Sequence, residues 1–97
     1  MSQFYTSVPP DMHNTLTTAA KAAGISRNAL ITRVIDTWLL KPKPLIADYT
    51  DPARVRMRFW ADPALSKRIA RCAKKMRSTR ASVIYTALTD YLHKAKR

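Results

Sequence analysis

The chain carries one pattern twice, at a spacing of 53 residues. In the first copy, strand-forming residues at 3–8 run into two prolines, a helical periodicity follows, and Ser26-Arg27 opens a second helical periodicity. In the second copy the same order runs from a strand segment at 55–60 through Pro63 to Thr79-Arg80. A unit of about 45 residues buries too little surface to be stable alone. The repeat therefore predicts two similar units that share a core.

Apolar character is kept at nearly every mapped core position, although few identities are kept. In the first helices, Met12, Leu16 and Ala20 correspond to Leu65, Ile69 and Ala73. In the second helices, Ile31, Val34, Ile35, Trp38 and Leu39 correspond to Ile84, Ala87, Leu88, Tyr91 and Leu92. With Leu30, the first of these stripes is wider than packing against one short helix requires. We therefore expect it to pack against the matching stripe of the second unit.

Both strand segments alternate between apolar and polar side chains, which separates two faces. Phe4, Thr6 and Val8 share one face, and they map to Met57, Phe59 and Ala61. Two short strands with one apolar face each predict a half-buried ribbon. Its other face would carry six side chains: Gln3, Tyr5, Ser7, Arg56, Arg58 and Trp60.

Prolines, caps and the single glycine set the expected boundaries. We expect helices at about 10–23, 27–40, 63–76 and 79–94, with Ser26 and Asp62 as N-caps. Gly24 suits the end of the first helix because glycine tolerates positive φ. Arg77 stands at the equivalent position, so the second turn must close without glycine. The expected division is a first unit at 1–40, a proline-containing connector at 41–53 and a strongly basic second unit at 54–97, together forming one folded domain.

The charge favours a polyanionic partner. The net charge is +12 and the pI is about 10.6, which is typical of nucleic-acid binding. Residues 1–40 have a net charge of +1, whereas residues 54–97 have +11, so the second unit should dominate. Much of this charge lies on one helix, at Lys67, Arg68, Arg71, Lys74, Lys75 and Arg77. Most of these cations are expected to be solvated, and some could hold phosphate.

Other classes of function find little support in the residues. No glycine-rich phosphate loop, paired catalytic carboxylates or Ser/His/Asp set is present, so we expect no enzyme activity and no cofactor. His13, His93 and Cys72 are too isolated in the sequence to indicate a metal site. A single cysteine fits a reducing compartment, and no apolar run reaches the roughly 18–20 residues of a membrane span. We expect a cytoplasmic protein without membrane association.

A strand, two helices, outward polar residues on the strand and Ser/Thr-Arg at the second helix's start resemble the ribbon-helix-helix family, to which Arc and MetJ belong. The resemblance covers nearly the whole chain, in two copies. In that family two units interlock: their strands pair antiparallel into one ribbon that enters the major groove, and their helices form the core. The resemblance implies a mostly α fold with a short two-stranded antiparallel β-ribbon. Both units would form an intramolecular pseudo-dimer, similar to tandem TraY-type plasmid proteins.

The resemblance also implies site residues. The six outer side chains of the ribbon would contact bases, since Arg can bridge guanine and Gln can bridge adenine in the major groove. The alternative is an ordinary solvated sheet face. Phosphates would be held at the starts of the second helices by Ser26, Arg27, Asn28, Thr79 and Arg80. The free N–H groups of a helix N-terminus favour anions there in any family, and simple capping by Ser26 and Thr79 is compatible with that role.

The expected function is sequence-specific binding of double-stranded DNA as a transcriptional repressor or regulator. The alternative is a relaxosome accessory protein that binds near a conjugative plasmid transfer origin, with a relaxase or another DNA-processing protein as partner. Family behaviour suggests that further copies bind adjacent sites. An antitoxin is disfavoured because few residues follow Leu92, and an RNA-binding or membrane-surface protein is a weaker alternative.

Overall fold

A computed structural model describes residues 2–46 and 52–95 of the chain. The elements are β1 (Ser2–Val8), α1 (Pro10–Ala23), α2 (Arg27–Trp38), β2 (Val55–Ala61), α3 (Pro63–Lys75) and α4 (Arg80–Ala95). Over these residues the protein is mostly helical, with four helices and one two-stranded antiparallel sheet, and this coarse prediction is confirmed. The second helix ends two residues earlier than predicted, because hydrogen bonds to carbonyls three residues back tighten the chain after Trp38.

The two strands pair antiparallel along their full length, from Ser2 opposite Ala61 to Val8 opposite Val55. The inner face is buried as the alternation predicted: Phe4, Thr6, Val8, Met57, Phe59 and Ala61 are all shielded from solvent. Across the ribbon, the rings of Phe4 and Phe59 stack with their centroids 5.5 Å apart. One face of the ribbon therefore belongs to the core.

The helices cover that inner face and bury the predicted stripes. On α2, Leu30, Ile31, Val34, Ile35 and Trp38 are buried, and α4 contributes Val83, Ile84, Ala87 and Leu88. The two helices contact each other, as the width of the stripe predicted. In addition α2 packs against β2, and α4 packs against β1. Each of these helices therefore lies beside the strand from the other half of the chain.

The two interhelical turns have the same backbone conformation although only one contains glycine. Gly24 has φ of 71° and Arg77 has φ of 53°. In each turn, the residue with positive φ donates its N–H to the carbonyl three residues back, and the next N–H bonds to the carbonyl five residues back. The turn predicted to close without glycine thus does so by placing an arginine in the left-handed region, which disfavours residues with a Cβ.

The predicted N-caps are confirmed at three helices. Ser26 Oγ accepts from the N–H of Ala29 at 3.0 Å, and Asp62 Oδ1 accepts from that of Leu65 at 2.7 Å. Thr79 Oγ1 accepts in the same way from the N–H of Ser82 at 3.1 Å. These side chains satisfy main-chain donors that have no partner within the helix.

The described part of the connector docks on α4 through hydrogen bonds between the main chain of Ile46 and side chains of the helix. The N–H of Ile46 donates to Thr86 Oγ1 at 3.0 Å, and Ser82 Oγ donates to the carbonyl of Ile46 at 2.6 Å. Lys43 also pairs with Asp90 at 2.9 Å. The expected connector extends to residue 53, but 47–51 lie outside the described residues.

Candidate nucleic-acid interface

The six side chains predicted to contact bases lie together on the outer side of the sheet, and we call this surface the outer ribbon face. The strand register places Gln3 opposite Trp60, Tyr5 opposite Arg58 and Ser7 opposite Arg56. Tyr5 and Trp60 are 43% and 48% exposed, although large aromatic side chains are usually more buried. Exposed aromatic and cationic side chains alternate across a surface that is not covered by any described element.

Three members of the outer ribbon face contact one another. The guanidinium of Arg56 lies over the Tyr5 ring, 4.8 Å from its centroid. The Tyr5 hydroxyl donates to Gln3 Oε1 at 2.8 Å. This contact orients the Gln3 carboxamide and leaves its amino group available as a donor. Among residues 2–46 and 52–95, no carboxylate lies within ion-pair distance of Arg56 or Arg58.

The N-terminus of α2 lies against the outer edge of β2. The Asn28 side chain donates through Nδ2 to the Trp60 carbonyl at 3.0 Å and accepts from the Trp60 N–H at 2.7 Å. A shallow depression of about 360 Å³ at this junction is lined by Thr17, Arg27, Asn28, Arg58 and Trp60. Predicted base-contacting and phosphate-contacting residues therefore adjoin on this side.

The N-terminus of α4 occupies the corresponding place beside β1. The guanidinium of Arg80 is 6.0 Å from the centroid of the Phe4 ring, and Thr6 Oγ1 donates a long bond of 3.5 Å to the carbonyl of Ala81. Since β1 and β2 are the two edges of the ribbon, the two helix N-termini flank it on opposite sides. Both ends present the main-chain N–H groups and positive dipole that attract anions.

The five predicted phosphate-contacting side chains differ in what they already bind. Ser26 and Thr79 cap their helices, and Asn28 holds the main chain of Trp60. Arg27 Nη1 contacts His13 Nε2 at 2.5 Å, which engages one of its five donors. Arg80 is exposed, and within residues 2–46 and 52–95 its guanidinium makes only the long contact to the Phe4 ring described above. The two sides of the ribbon are thus similar in backbone geometry but different in side chains.

One cation near this surface was missed by the sequence-based set. Arg54 is exposed and lines a depression of about 370 Å³ with Ser7, Pro52 and Arg56. It continues the alternation of Arg56 and Arg58 by one step, so the period of two residues was the signal that could have found it. Arg54 therefore extends the positive charge beyond the end of the strand.

Within the described residues, no three His, Cys, Asp or Glu side chains cluster as metal ligands would. Burial raises the pKa of the Cys72 thiol, with Lys75 opposing the shift, so the thiol stays protonated at neutral pH. None of the helices described is long and apolar enough to cross a membrane. The exposed ribbon and the helix ends beside it remain the strongest candidate site.

Comparison of the chain with protein-family models, with curated proteins and with solved structures found no match. The candidate interface is therefore defined by the residues themselves. It consists of the outer ribbon face, with two arginines and two exposed aromatic side chains, and of the helix N-termini at 26–28 and 79–80 on either side.

Proposed function

We propose that the chain is an intramolecular pseudo-dimer of ribbon-helix-helix units that binds double-stranded DNA sequence-specifically and acts as a transcriptional repressor or regulator. The outer ribbon face would enter the major groove, and the flanking helix N-termini would hold the phosphates on either side. The observation that carries the proposal is this combination of an uncovered ribbon and two anion-attracting helix ends along its edges. No catalytic step or cofactor is required.

The strand register supports the pseudo-dimer. Tyr5 and Arg58 are equivalent positions at the 53-residue spacing, and they lie directly opposite each other. The pair of Phe4 with Phe59 then has its counterpart in the pair of Met57 with Thr6. An approximate two-fold axis through Tyr5 and Arg58 would generate this pattern, as pairing of two equivalent strands requires.

The size and chemistry of the ribbon suit the major groove. The groove is about 12 Å wide and admits a two-stranded ribbon, whereas the minor groove is about half as wide. Arg56 and Arg58 can each donate two hydrogen bonds to guanine, and the amino group of Gln3 can donate to N7 of a purine. Tyr5 and Trp60 offer apolar surface for thymine methyl groups. A purely solvated face would leave both aromatic side chains, which are nearly half exposed, in contact with water.

The two strands differ, so the proposed site is asymmetric. The β2 strand supplies Arg56, Arg58 and Trp60, and β1 supplies Gln3, Tyr5 and Ser7. We therefore expect guanine in the half of the site read by β2 and a different composition in the other half. A homodimer of identical units would instead read a palindrome, because its site mirrors its symmetry.

Selection from a pool of random duplexes tests the proposal. The affinity for the selected site is then compared with that for a duplex of the same composition in shuffled order, at several salt concentrations. We expect a ratio of at least about 10³ in favour of the selected site and a steep loss of affinity with salt for both duplexes. A ratio near one at every salt concentration would show that the protein binds polyanions without reading bases.

Footprinting on DNA from the source organism then addresses the regulatory role. A repressor should protect a promoter, and the protected region should contain the selected sequence. Protection only at sites that lie outside promoters would contradict repression while leaving sequence-specific binding intact.

A further inference from the structure

A groove of about 340 Å³ runs between α3 and the end of α2, where the connector begins. Its apolar lining comes from the half-buried Leu39 and Met76, the buried Cys72 and the exposed Pro42. Arg71 and Lys75, which are one helical turn apart and exposed, stand along its rim. The groove thus combines an apolar interior with a positively charged edge.

An ion pair fixes one wall of this groove. Arg68 of α3 bonds through its guanidinium to the side chain and carbonyl of Asp36 on α2. This contact joins the two helices beside the groove, and it means that the charge of Arg68 is already paired with that of Asp36. The groove is therefore formed by elements that are already held together.

The fold itself does not require the charges on the rim. At the 53-residue spacing, Thr18 of α1 is equivalent to Arg71 and Ala22 is equivalent to Lys75. The α1 helix therefore forms without cations at these two positions. Lys67, Arg71 and Lys75 follow one another at i, i+4 spacing, and each such like-charge pair destabilises a helix by a few tenths of a kcal/mol. Lys75 lies in the last turn of α3, where the helix dipole favours a cation. Arg71 lies before that turn and gains less from the dipole, so its charge points to a binding role.

None of the residues that line the groove belongs to the outer ribbon face or to the helix N-termini at 26–28 and 79–80. A DNA duplex would pair with the cations of the rim but would leave the apolar lining without an apolar partner. An apolar peptide would fill the apolar lining but would leave the cations of the rim unpaired. An amphipathic helix with acidic side chains matches both, because its apolar side chains fill the groove while its carboxylates meet the rim.

We propose that this groove docks an acidic amphipathic helix of a partner protein, with Arg71 and Lys75 pairing with its carboxylates. The apolar anchors of such a helix, at i and i+4, would enter between Leu39 and Met76. This inference goes beyond the proposed DNA binding and does not depend on it. It gives the protein a second surface through which another protein can be recruited.

Two synthetic peptides of identical composition serve as probes. In one, leucines recur at i, i+4 and i+7 among glutamates and alanines; in the other, the same residues are shuffled so that no apolar face exists. Each peptide carries fluorescein, and binding to the full-length protein is followed by anisotropy. We expect the amphipathic peptide to bind with Kd on the order of 10 μM and the shuffled peptide at least tenfold more weakly. Equal binding of the two peptides, or no binding of either, would overturn the proposal.

Two double variants with equal charge changes locate the binding. Arg71→Glu/Lys75→Glu reverses both rim charges, and Lys67→Glu/Lys74→Glu reverses two exposed cations of the same helix that do not line the groove. We expect the first pair to weaken peptide binding by at least about tenfold and the second by less than about threefold. Circular dichroism and thermal unfolding check that both fold. Equal losses would reduce the effect to overall charge and contradict a groove site.

The same variants distinguish a DNA surface from a protein surface. We expect both pairs to lower the affinity for random-sequence duplex DNA to a similar extent, because each removes the same charge. If the rim pair instead weakens duplex binding more than the control pair and leaves peptide binding unchanged, the groove belongs to the DNA-binding surface and the proposal is wrong.

Discussion

The carboxamide of Asn28 pairs with both main-chain groups of Trp60, donating to its carbonyl at 3.0 Å and accepting from its N–H at 2.7 Å. The side chain thus bonds to the edge of β2 as a neighbouring strand would. It also joins two parts of the candidate interface, because Asn28 lies in the first turn of α2 and Trp60 lies on the outer ribbon face. The helix end and the ribbon are therefore held in a fixed relation on this side.

Replacing Asn28 by alanine should destabilise the fold. The change removes two hydrogen bonds and leaves the edge of β2 at Trp60 without a protein partner, so we expect the free energy of unfolding to fall by about 1–2 kcal/mol. Urea denaturation followed by circular dichroism measures the difference. Asn14→Ala is the control, because Asn14 is an exposed residue of α1 and its loss should change the free energy by less than about 0.5 kcal/mol. Equal effects of the two changes would mean that the contact with Trp60 contributes nothing to stability.

The positive φ of Arg77 predicts that glycine stabilises the second turn. An L-residue in the left-handed region costs about 1 kcal/mol relative to glycine, so Arg77→Gly should be more stable than Arg77→Ala by about 0.5–1 kcal/mol. Both changes remove the same charge, so their difference isolates the backbone. Thermal unfolding of the two variants measures it.

The first turn supplies the reverse experiment. Gly24 has φ of 71°, and a Cβ there would meet no atom within 4 Å. Gly24→Ala should therefore lose about 1 kcal/mol through backbone conformation alone. If glycine and alanine are equally stable at position 77 while Gly24→Ala is destabilised, the two turns do not share their conformation in solution.

Periodicity explains why so much of the ribbon was predictable. A period of two residues assigned Phe4 and Thr6 to the core and Tyr5 to the outside, and burial confirms all three. Caps and prolines likewise set helix ends to within two residues, because Ser26 and Asp62 act on neighbours only three residues away. Signals of this kind can be recognised in the sequence because each acts on residues only two or three positions away.

Contacts between distant residues were not predictable in this way. The side chain of Asn28, a predicted phosphate contact, also bonds to the main chain of Trp60, 32 residues away, and no pattern in the sequence indicated this bond. Ile46 docks on α4 through Ser82 and Thr86, about 40 residues away. Such contacts depend on the final packing of helix against strand, and a short polar side chain in a sequence does not reveal which edge it will reach.

The ion pairs of Asp90 predict a loss of stability in acid. Asp90 accepts from Lys43 at 2.9 Å and lies 3.3 Å from Lys94, and the bond from Lys43 is the main cause that lowers the pKa of its carboxyl. A lowered folded-state pKa stabilises the fold at pH values above the ordinary pKa of about 3.9, and this contribution is lost as the pH falls through the lowered value. Both lysines are more than half exposed, so the contribution should be no more than about 1 kcal/mol.

Asp90→Asn measures this contribution. At pH 7 the variant should unfold at lower urea concentration than the wild type, and the gap should close as the pH falls below about 4. The other carboxylates titrate in both proteins, so they cancel in the comparison. A gap that stays constant down to pH 2 would assign the effect to packing and not to charge.

Alanine substitutions of an arginine on the ribbon and of one at a helix N-terminus should weaken DNA binding in different ways. Arg58 is exposed on the outer ribbon face, so Arg58→Ala should reduce the binding free energy for the selected site by about 1–3 kcal/mol and relax the choice of base at one position.

Arg80 lies at the start of α4, where Arg80→Ala should lower the affinity for the selected and the shuffled duplex alike. It should also reduce the slope of log K against log salt by about one. Arg33→Ala is the control, since Arg33 is an exposed residue of α2 outside both surfaces. Equal loss for Arg58→Ala on every sequence would assign Arg58 to phosphate, and an unchanged salt slope for Arg80→Ala would remove Arg80 from the phosphate contacts.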